Sequence, residues 1–234
     1  MSAAVWHIYG DAARMARAVA DALQDAVGAA VDARGHATLG LAGGSTPMAA
    51  YADLAARALP WPQVSMALID ERFVPEHDAQ SNAGAIRRAF APALPHVGLL
   101  AGLYHPAEDI AAAAAQADAD IRARVGTLDA VLIGMGADGH IASLFAESPD
   151  YEAAMSSGDA AVRAIRFTPP SDKADRLSFT LPRLLAARTA LVCITGADKR
   201  EVLERSLDGR APHYAMARFL AAYRGPLDIF WSPA

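Results

Sequence analysis

The stretch Ala130–His140, AVLIGMGADGH, joins an apolar run to a turn that contains three glycines. The apolar part belongs to a segment, Leu128–Ile133, whose length and aliphatic content are typical of a strand buried inside a parallel sheet. Glycines after such a strand allow the backbone to turn sharply and to approach a ligand closely. The stretch therefore predicts a buried strand that ends in a binding or catalytic loop.

Short apolar segments alternate with alanine-rich segments along the rest of the chain. The predicted strands are Val5–Tyr9, Thr38–Ala42, Val64–Asp70, Leu128–Ile133, Ala161–Phe167, Thr189–Thr195 and Leu227–Trp231, and the predicted helices are Ala12–Val31, Pro47–Leu59, Ala83–Phe90, Pro106–Val125 and Lys199–Leu207. This alternation predicts an α/β fold with three αβα layers around a mostly parallel, Rossmann-like doubly wound sheet. No repeat or linker divides the chain, so we expect a single domain over residues 1–234, with Thr168–Lys173 as an internal loop.

The composition narrows the class of protein. Hydrophobic residues make up 53% of the chain, the formal net charge is −5 and the pI is about 5.8. A nucleic-acid-binding protein would present a basic face, so we expect no nucleic-acid partner. The sequence contains no export signal and no apolar run of the roughly 20 residues that a membrane span needs. Its single cysteine, Cys193, lies in an apolar run typical of a buried thiol. We therefore expect a cytoplasmic protein without a membrane partner.

The glycines of the 130–140 stretch have the spacing G-x-G-x-x-G, which is also the fingerprint of dinucleotide-binding loops. Such a site needs an acidic residue about 20 positions later, at the end of the next strand. Asp159 has that distance but precedes the strand Ala161–Phe167, so the dinucleotide interpretation fails. What remains is His140 beside Asp138. Because histidine exchanges protons near neutral pH, this setting favours catalysis over a purely structural histidine.

A second glycine turn, Gly43–Pro47, follows the strand Thr38–Ala42 and opens a helix. Thr46 is placed to cap that helix and Pro47 to begin it. Free N–H groups at a helix N-terminus, beside serine and threonine hydroxyls, form an anion site, but the same geometry also serves as a plain capped turn. Both interpretations stay open on this segment alone. Ser81 or Asn82 is the corresponding cap of the helix Ala83–Phe90.

Charged residues follow other predicted strands. Asp70 and Arg72 lie at the end of the strand Val64–Asp70, where they form either a solvated loop or a ligand contact through the forked guanidinium. Lys199 lies in the first turn of a helix, where the helix dipole disfavours a cation, and this misfit indicates an anionic partner. Arg176 is a further candidate with a weaker local pattern. Ligands of parallel sheets bind beyond the carboxyl ends of the strands, often where the strand order reverses, so these residues are expected at one edge.

Four of these segments, in their order along the chain, resemble the 6-phosphogluconolactonase family. They are Gly43–Pro47, Asp70–Pro75, Gly134–Phe145 and Gly196–Lys199. Each motif alone is modest evidence for the resemblance. Four motifs in the family's order and spacing are specific for this family, and the resemblance covers nearly the whole chain. One departure is Ala146, where the family tends to have proline, and it affects the local loop shape rather than the chemistry.

The resemblance implies hydrolysis of 6-phospho-D-glucono-1,5-lactone to 6-phosphogluconate, in the oxidative pentose phosphate pathway. It implies that His140 activates a water molecule and that Asp138 orients His140 or binds sugar hydroxyls. The implied substrate contacts are Gly43, Gly44, Ser45, Thr46, Asp70, Arg72, Arg176 and Lys199. We expect no metal or organic cofactor, a small phosphorylated sugar lactone as partner, and a monomer.

Two other functions remain as alternatives. The first is an isomerase or deaminase of an amino-sugar phosphate, a relative with similar glycine turns. That relative looks to have tyrosine at the position of Arg72 and a different sequence after the histidine, so Arg72 and Ala142–Phe145 favour the lactonase. The second is a sugar-phosphate sensor domain of a transcription regulator, which would require a DNA-reading helix-turn-helix extension. Since the first strand is predicted from Val5, we expect no such extension.

Overall fold

The computed structural model describes residues 4–156, 158–168, 171 and 173–233. Within the predicted loop Thr168–Lys173, residues 169, 170 and 172 lie outside this part of the chain. The described strands are β1 (Val5–Ile8), β2 (Ala37–Leu41), β3 (Val64–Leu68), β4 (Asp70–Arg72), β5 (Leu99–Ala101), β6 (Ala130–Ile133), β7 (Val162–Ile165), β8 (Arg176–Phe179), β9 (Thr189–Thr195) and β10 (Leu227–Ser232). The described helices are α1 (Ala12–Arg34), α2 (Met48–Ala55), α3 (Asn82–Ala89), α4 (Ile110–Arg124), α5 (Tyr151–Ser156), α6 (Leu181–Leu185), α7 (Ala197–Leu207) and α8 (Ala215–Ala222).

Seven strands form one parallel sheet in the order β1-β10-β9-β6-β2-β3-β5. Every residue of β2 and β6 is buried, as expected for central strands covered on both faces by helices. The large aliphatic side chains of the sheet and of α1 pack into one hydrophobic core. The predicted α/β fold with a mostly parallel, doubly wound sheet is confirmed.

The strand order reverses between β2 and β6. From β2 the chain proceeds outward through β3 to β5, and from β6 it proceeds in the opposite direction through β9 to β10. Leu41 of β2 lies in register with Leu132 of β6, so the turns that follow the two strands emerge side by side. This is the position at which doubly wound sheets bind their ligands.

A second sheet was not predicted. The strand predicted at Ala161–Phe167 is β7, which lies outside the parallel sheet and pairs antiparallel with β8, and β8 pairs antiparallel with β4. Its assignment to the parallel sheet is therefore wrong. The strands β4 and β8 are short and carry charged residues, so their local patterns are weak, and their pairing joins segments far apart in sequence.

Helix starts were predicted with mixed success. Ser81 caps α3, because its Oγ accepts a hydrogen bond from the backbone N–H of Gly84 at 3.1 Å. Thr46 does not cap α2: the helix begins at Met48, Pro47 occupies the cap position, and no side chain there accepts a backbone hydrogen bond. The turn before α2 therefore keeps its hydroxyl groups available for another partner. No helix in the described part of the chain is long and apolar enough to cross a bilayer.

Gly28 is a stability defect inside α1. It lies in the interior of this long helix, and a Cβ added there would meet no atom within 4 Å. Alanine costs less backbone entropy than glycine in a helix. We expect Gly28→Ala to raise the free energy of unfolding by about 0.5–1 kcal/mol, measured by urea denaturation. An unchanged or lower unfolding midpoint would contradict this expectation.

Candidate active site

A cavity of about 250 Å³ lies at the reversal between β2 and β6. Nine of the predicted site residues line it, namely Gly43, Gly44, Ser45, Thr46, Asp70, Arg72, His140, Arg176 and Lys199. The tenth, Asp138, is hydrogen-bonded to His140. These residues come from the turns after β2 and β6, from the first turn of α7 and from the short strands β4 and β8. The fold therefore brings together residues that the sequence separates widely.

The turn 43–46 presents unused hydrogen-bond donors to the cavity. Within the described chain, the backbone N–H groups of Gly43, Gly44, Ser45 and Thr46 donate to no protein acceptor. Gly44 has φ +88°, a left-handed conformation that side chains other than glycine rarely adopt. Gly43 packs so closely on Asn82 that an added Cβ would lie 2.1 Å from the Asn82 amide. Free N–H groups in a turn that leads into a helix make a site suited to an anion.

Three cationic side chains line the same cavity. Arg72 and Arg176 are directly opposite each other in the β4–β8 pair. Burial lowers the pKa of Arg176, and the nearby charge of Arg72 lowers it further. Like charges opposite each other in a sheet repel and destabilise the pairing. The side chain of Lys199 lines the cavity and forms no hydrogen bond or ion pair with the side chain or backbone of another described residue. Among the described residues that line the cavity, Asp70 is the one carboxylate. The excess of positive charge suits a dianionic ligand.

His140 and Asp138 form a hydrogen-bonded pair at the edge of the cavity. Asp138 Oδ1 lies 2.5 Å from His140 Nδ1. Burial alone would raise the pKa of Asp138, but the hydrogen bond and charge of His140 outweigh it and lower the pKa to about 2. Since the carboxylate accepts from Nδ1–H, the lone pair of the imidazole is at Nε2. The pair can therefore take up a proton at Nε2 while Asp138 stays ionised.

The glycines of the 134–140 turn serve this pair rather than a nucleotide. A Cβ on Gly136 would lie 2.2 Å from the His140 ring and 2.5 Å from Asp138 Oδ1. Gly139 has φ +78°, and a Cβ there would lie 2.4 Å from the ring of Tyr214. A Cβ on Gly134 would meet nothing within 4 Å, and this residue lines the cavity. Two of the three glycines in the dinucleotide-like spacing, Gly136 and Gly139, thus leave the space that His140 and Tyr214 occupy.

Asp70 is held by residues that the sequence did not assign to the site. Ser143 Oγ donates to Asp70 Oδ2 at 2.7 Å, and Asn82 Nδ2 donates to the Asp70 backbone carbonyl at 3.0 Å. Asn82 Oδ1 in turn accepts from Arg72 Nη1. From the sequence, Asn82 was predicted only as a possible helix cap, and Ser143 was given no role of its own. Ser143 lies in the matching segment Gly134–Phe145, and this position was the signal that could have identified it.

The carboxylate of Glu71 and the thiol of Cys193 are both buried. Glu71 is fully buried, and its carboxylate accepts hydrogen bonds from Ser81 Oγ and from backbone N–H groups at the start of α3. Burial raises the pKa of Glu71, and these hydrogen bonds oppose the rise. Burial raises the pKa of Cys193 to about 12. The thiol is buried, as its apolar run predicted, and the residue also lines the cavity.

Fold and site together define an α/β enzyme in which a positively charged surface suited to an anion lies beside a histidine–carboxylate pair. The family described as glucosamine-6-phosphate isomerases/6-phosphogluconolactonase matches residues 10–227. The chain therefore belongs to this family.

Individual relatives are similar over nearly the whole chain. The 6-phosphogluconolactonase of Pseudomonas aeruginosa is 36% identical, over 97% of this chain and 94% of its own length. That of Mesorhizobium japonicum is 32% identical, over 97% of this chain and 95% of its own. The crystal structure of a 6-phosphogluconolactonase from Shewanella baltica superposes with a TM-score of 0.91, at 27% identity, over 99% of this chain and 98% of that chain. The family predicted from the four motifs is confirmed.

Proposed function

We propose that this protein hydrolyses 6-phospho-D-glucono-1,5-lactone to 6-phosphogluconate, a step of the oxidative pentose phosphate pathway. Relatives named 6-phosphogluconolactonase support this reaction. The observation that carries the proposal is that His140, paired with Asp138, shares one cavity with an anion-binding turn and three cationic side chains. A phosphorylated lactone needs the histidine–carboxylate pair for its ester group, and it needs the turn and the cationic side chains for its phosphate. The monomeric state and the cytoplasmic location stay predictions.

The substrate's phosphate lies against the turn 43–46 in this proposal. The free N–H groups and the hydroxyls of Ser45 and Thr46 donate to its oxygens, and Lys199 and Arg176 neutralise its charge. Arg72 extends the same positive surface. Asp70, held by Ser143 and Asn82, accepts a hydrogen bond from a sugar hydroxyl. Gripping the phosphate orients the lactone carbonyl toward His140.

His140 acts as the general base and then as the general acid. Its Nε2 takes a proton from a water molecule as the water oxygen bonds to the lactone carbonyl carbon. The resulting tetrahedral intermediate collapses with cleavage of the bond between that carbon and the ring oxygen. The same Nε2–H gives its proton to the departing oxygen, which becomes a sugar hydroxyl. Asp138 keeps the imidazole in the required tautomer and stabilises its transient positive charge.

The lowered pKa of Asp138 has a consequence for pH dependence. A carboxyl whose folded pKa is below its ordinary value stabilises the fold above that ordinary value and loses the effect as pH falls through about 2. Asp138 therefore stays ionised at every pH at which a neutral histidine can act as a base.

We expect Asp138→Asn to lower kcat by about 10-fold or more, because an amide can hold the wrong imidazole tautomer. A kcat equal to that of wild type across the pH profile would contradict the orienting role.

Lys199 is expected to act mainly on binding. Because Lys199 has no protein partner among the described residues, Lys199→Ala removes charge from the phosphate site without orphaning another group. We expect KM to rise by about 10-fold, equivalent to roughly 1.4 kcal/mol, with a smaller fall in kcat. Arg200→Ala, in the same helix but pairing with Glu204, is the matched control. An unchanged KM in Lys199→Ala would argue against phosphate contact.

A direct assay tests the function. The lactone is generated in solution by oxidation of glucose 6-phosphate, and its disappearance with the purified protein is compared with the spontaneous reaction. We expect catalysed opening of the phosphorylated lactone and little for unphosphorylated gluconolactone. Release of ammonia from glucosamine 6-phosphate, without lactone hydrolysis, would assign the protein to the deaminase branch instead.

A further inference from the structure

Phe145 supplies an aromatic surface against which His140 rests. The two ring centroids are 3.9 Å apart and the ring planes are tilted by 31°. Phe145 is 5% exposed, and the ring of Phe167 packs edge-on against it at 5.2 Å. A buried ring held by a second ring has little freedom to move. The face of the imidazole therefore meets a fixed surface.

The same phenylalanine ring also contacts cationic side chains. The guanidinium carbon of Arg176, which lines the substrate cavity, lies 5.7 Å from the ring centroid, and the ammonium of Lys173 lies 4.7 Å from it. Both distances fall within the range of about 6 Å over which a cation is attracted to an aromatic face. Phe145 is thus shared between the histidine and a cation of the anion-binding surface.

The hydrogen bond to Asp138 does not by itself fix the imidazole. The side chain of Asp138 is 53% exposed, and a single hydrogen bond at Nδ1 leaves the ring free to tilt about that bond. Gly136 limits movement at the ring edge near Cε1 and Nδ1. Contact with Phe145 restricts the face. Together the three contacts restrict the rotation and the tilt of the imidazole, and therefore the direction in which Nε2 points.

We propose that Phe145 is a positioning residue that aligns His140 for proton transfer and seats Arg176 for substrate binding. The role in turnover rests on the proposed lactonase function, whereas the contact between the two rings does not. Phe145 touches no reacting atom in this proposal, and its effect passes through His140 and Arg176.

The test is Phe145→Leu, which removes the ring and keeps an apolar side chain. We expect kcat for the phosphorylated lactone to fall by about 10- to 100-fold, the scale produced by a misplacement of about 1 Å, and KM to rise. In ¹⁵N-histidine NMR at alkaline pH, the wild-type His140 should show two well-separated ring nitrogens of one tautomer. In Phe145→Leu the imidazole can tilt away from Asp138, which weakens the hydrogen bond that selects the tautomer, so these resonances should move toward each other as the tautomers mix.

Controls separate positioning from stability. Phe219→Leu removes another buried ring, one that stacks on Tyr223 and does not line the cavity, and it should keep kcat near wild type. Phe145→Met, which better preserves the buried volume, replaces the leucine variant if the latter fails to fold. Wild-type kcat together with an unchanged ¹⁵N pattern in a folded Phe145 variant would overturn the proposal. If the wild-type protein itself lacks lactonase activity, the proposed function fails, while the NMR comparison still decides whether Phe145 aligns His140.

Discussion

Replacing His140 with alanine should lower kcat for lactone hydrolysis by about 10²- to 10⁴-fold, the usual loss when a general base is removed. No other described histidine lines the cavity, so no second imidazole can substitute. The side chain of His140 is 27% exposed and belongs to the loop rather than the core, so its loss should leave thermal unfolding nearly unchanged. Rates are measured against the spontaneous opening of the lactone.

The matched control for this variant is His36→Ala. His36 is exposed and directly precedes β2, at the amino end of this strand, whereas the cavity lies at the carboxyl end. Its Nδ1 is hydrogen-bonded to the Arg34 carbonyl at 3.1 Å. It should retain wild-type kcat. If His140→Ala turned over substrate at nearly the wild-type rate while folded, the general-base role would be lost, although phosphate binding at the turn 43–46 could still be tested through Lys199.

Gly136→Ala should reduce kcat by about 10²-fold, even though no catalytic group is removed. A Cβ at this position would lie 2.2 Å from the His140 ring and 2.5 Å from Asp138 Oδ1, so the pair must move away. Because Gly136 does not have a positive φ, the backbone itself accepts alanine without strain. The defect should therefore appear in kcat, with a smaller change in the unfolding temperature.

The control and a double variant make this prediction sharper. Gly126→Ala adds the same methyl group where no atom lies within 4 Å, and it should leave kcat unchanged. In Gly136→Ala/His140→Ala the two losses should not add, because both changes act through the same imidazole. Additive losses would show that Gly136 acts independently of His140, and an active Gly136→Ala would contradict the packing constraint.

Much of the site could be predicted because its chemistry is local in sequence. The turns at 43–46 and 134–140 each follow a strand that its apolar run makes easy to recognise. Each turn combines glycines with side chains of few chemical roles, hydroxyl groups in the first and a histidine with an aspartate in the second. Nine of the ten predicted site residues line the cavity. The tenth, Asp138, is hydrogen-bonded to His140, which is one of the nine. Their individual roles stay predictions until the variants are measured.

Other features depended on packing between distant segments. Arg72 and Arg176 face each other only because β4 and β8 pair, and neither strand has a recognisable local pattern. Glu71 alternates with Asp70 and Arg72 along β4, so its side chain points away from the cavity and is buried at the start of α3. A charge in a strand of unknown pairing cannot be assigned to either face in advance.

The sequence by itself determined the α/β class, the glycine turns and the types of groups that a phosphorylated substrate requires, because periodicity, turn chemistry and ionisable groups act over a few neighbouring residues. Only the tertiary structure decided that the turns after β2 and β6 lie side by side, that Asn82 joins Asp70 to Arg72, and that the ring of Phe145 packs against that of His140. These contacts result from strand order and close packing in three dimensions, which no local pattern specifies.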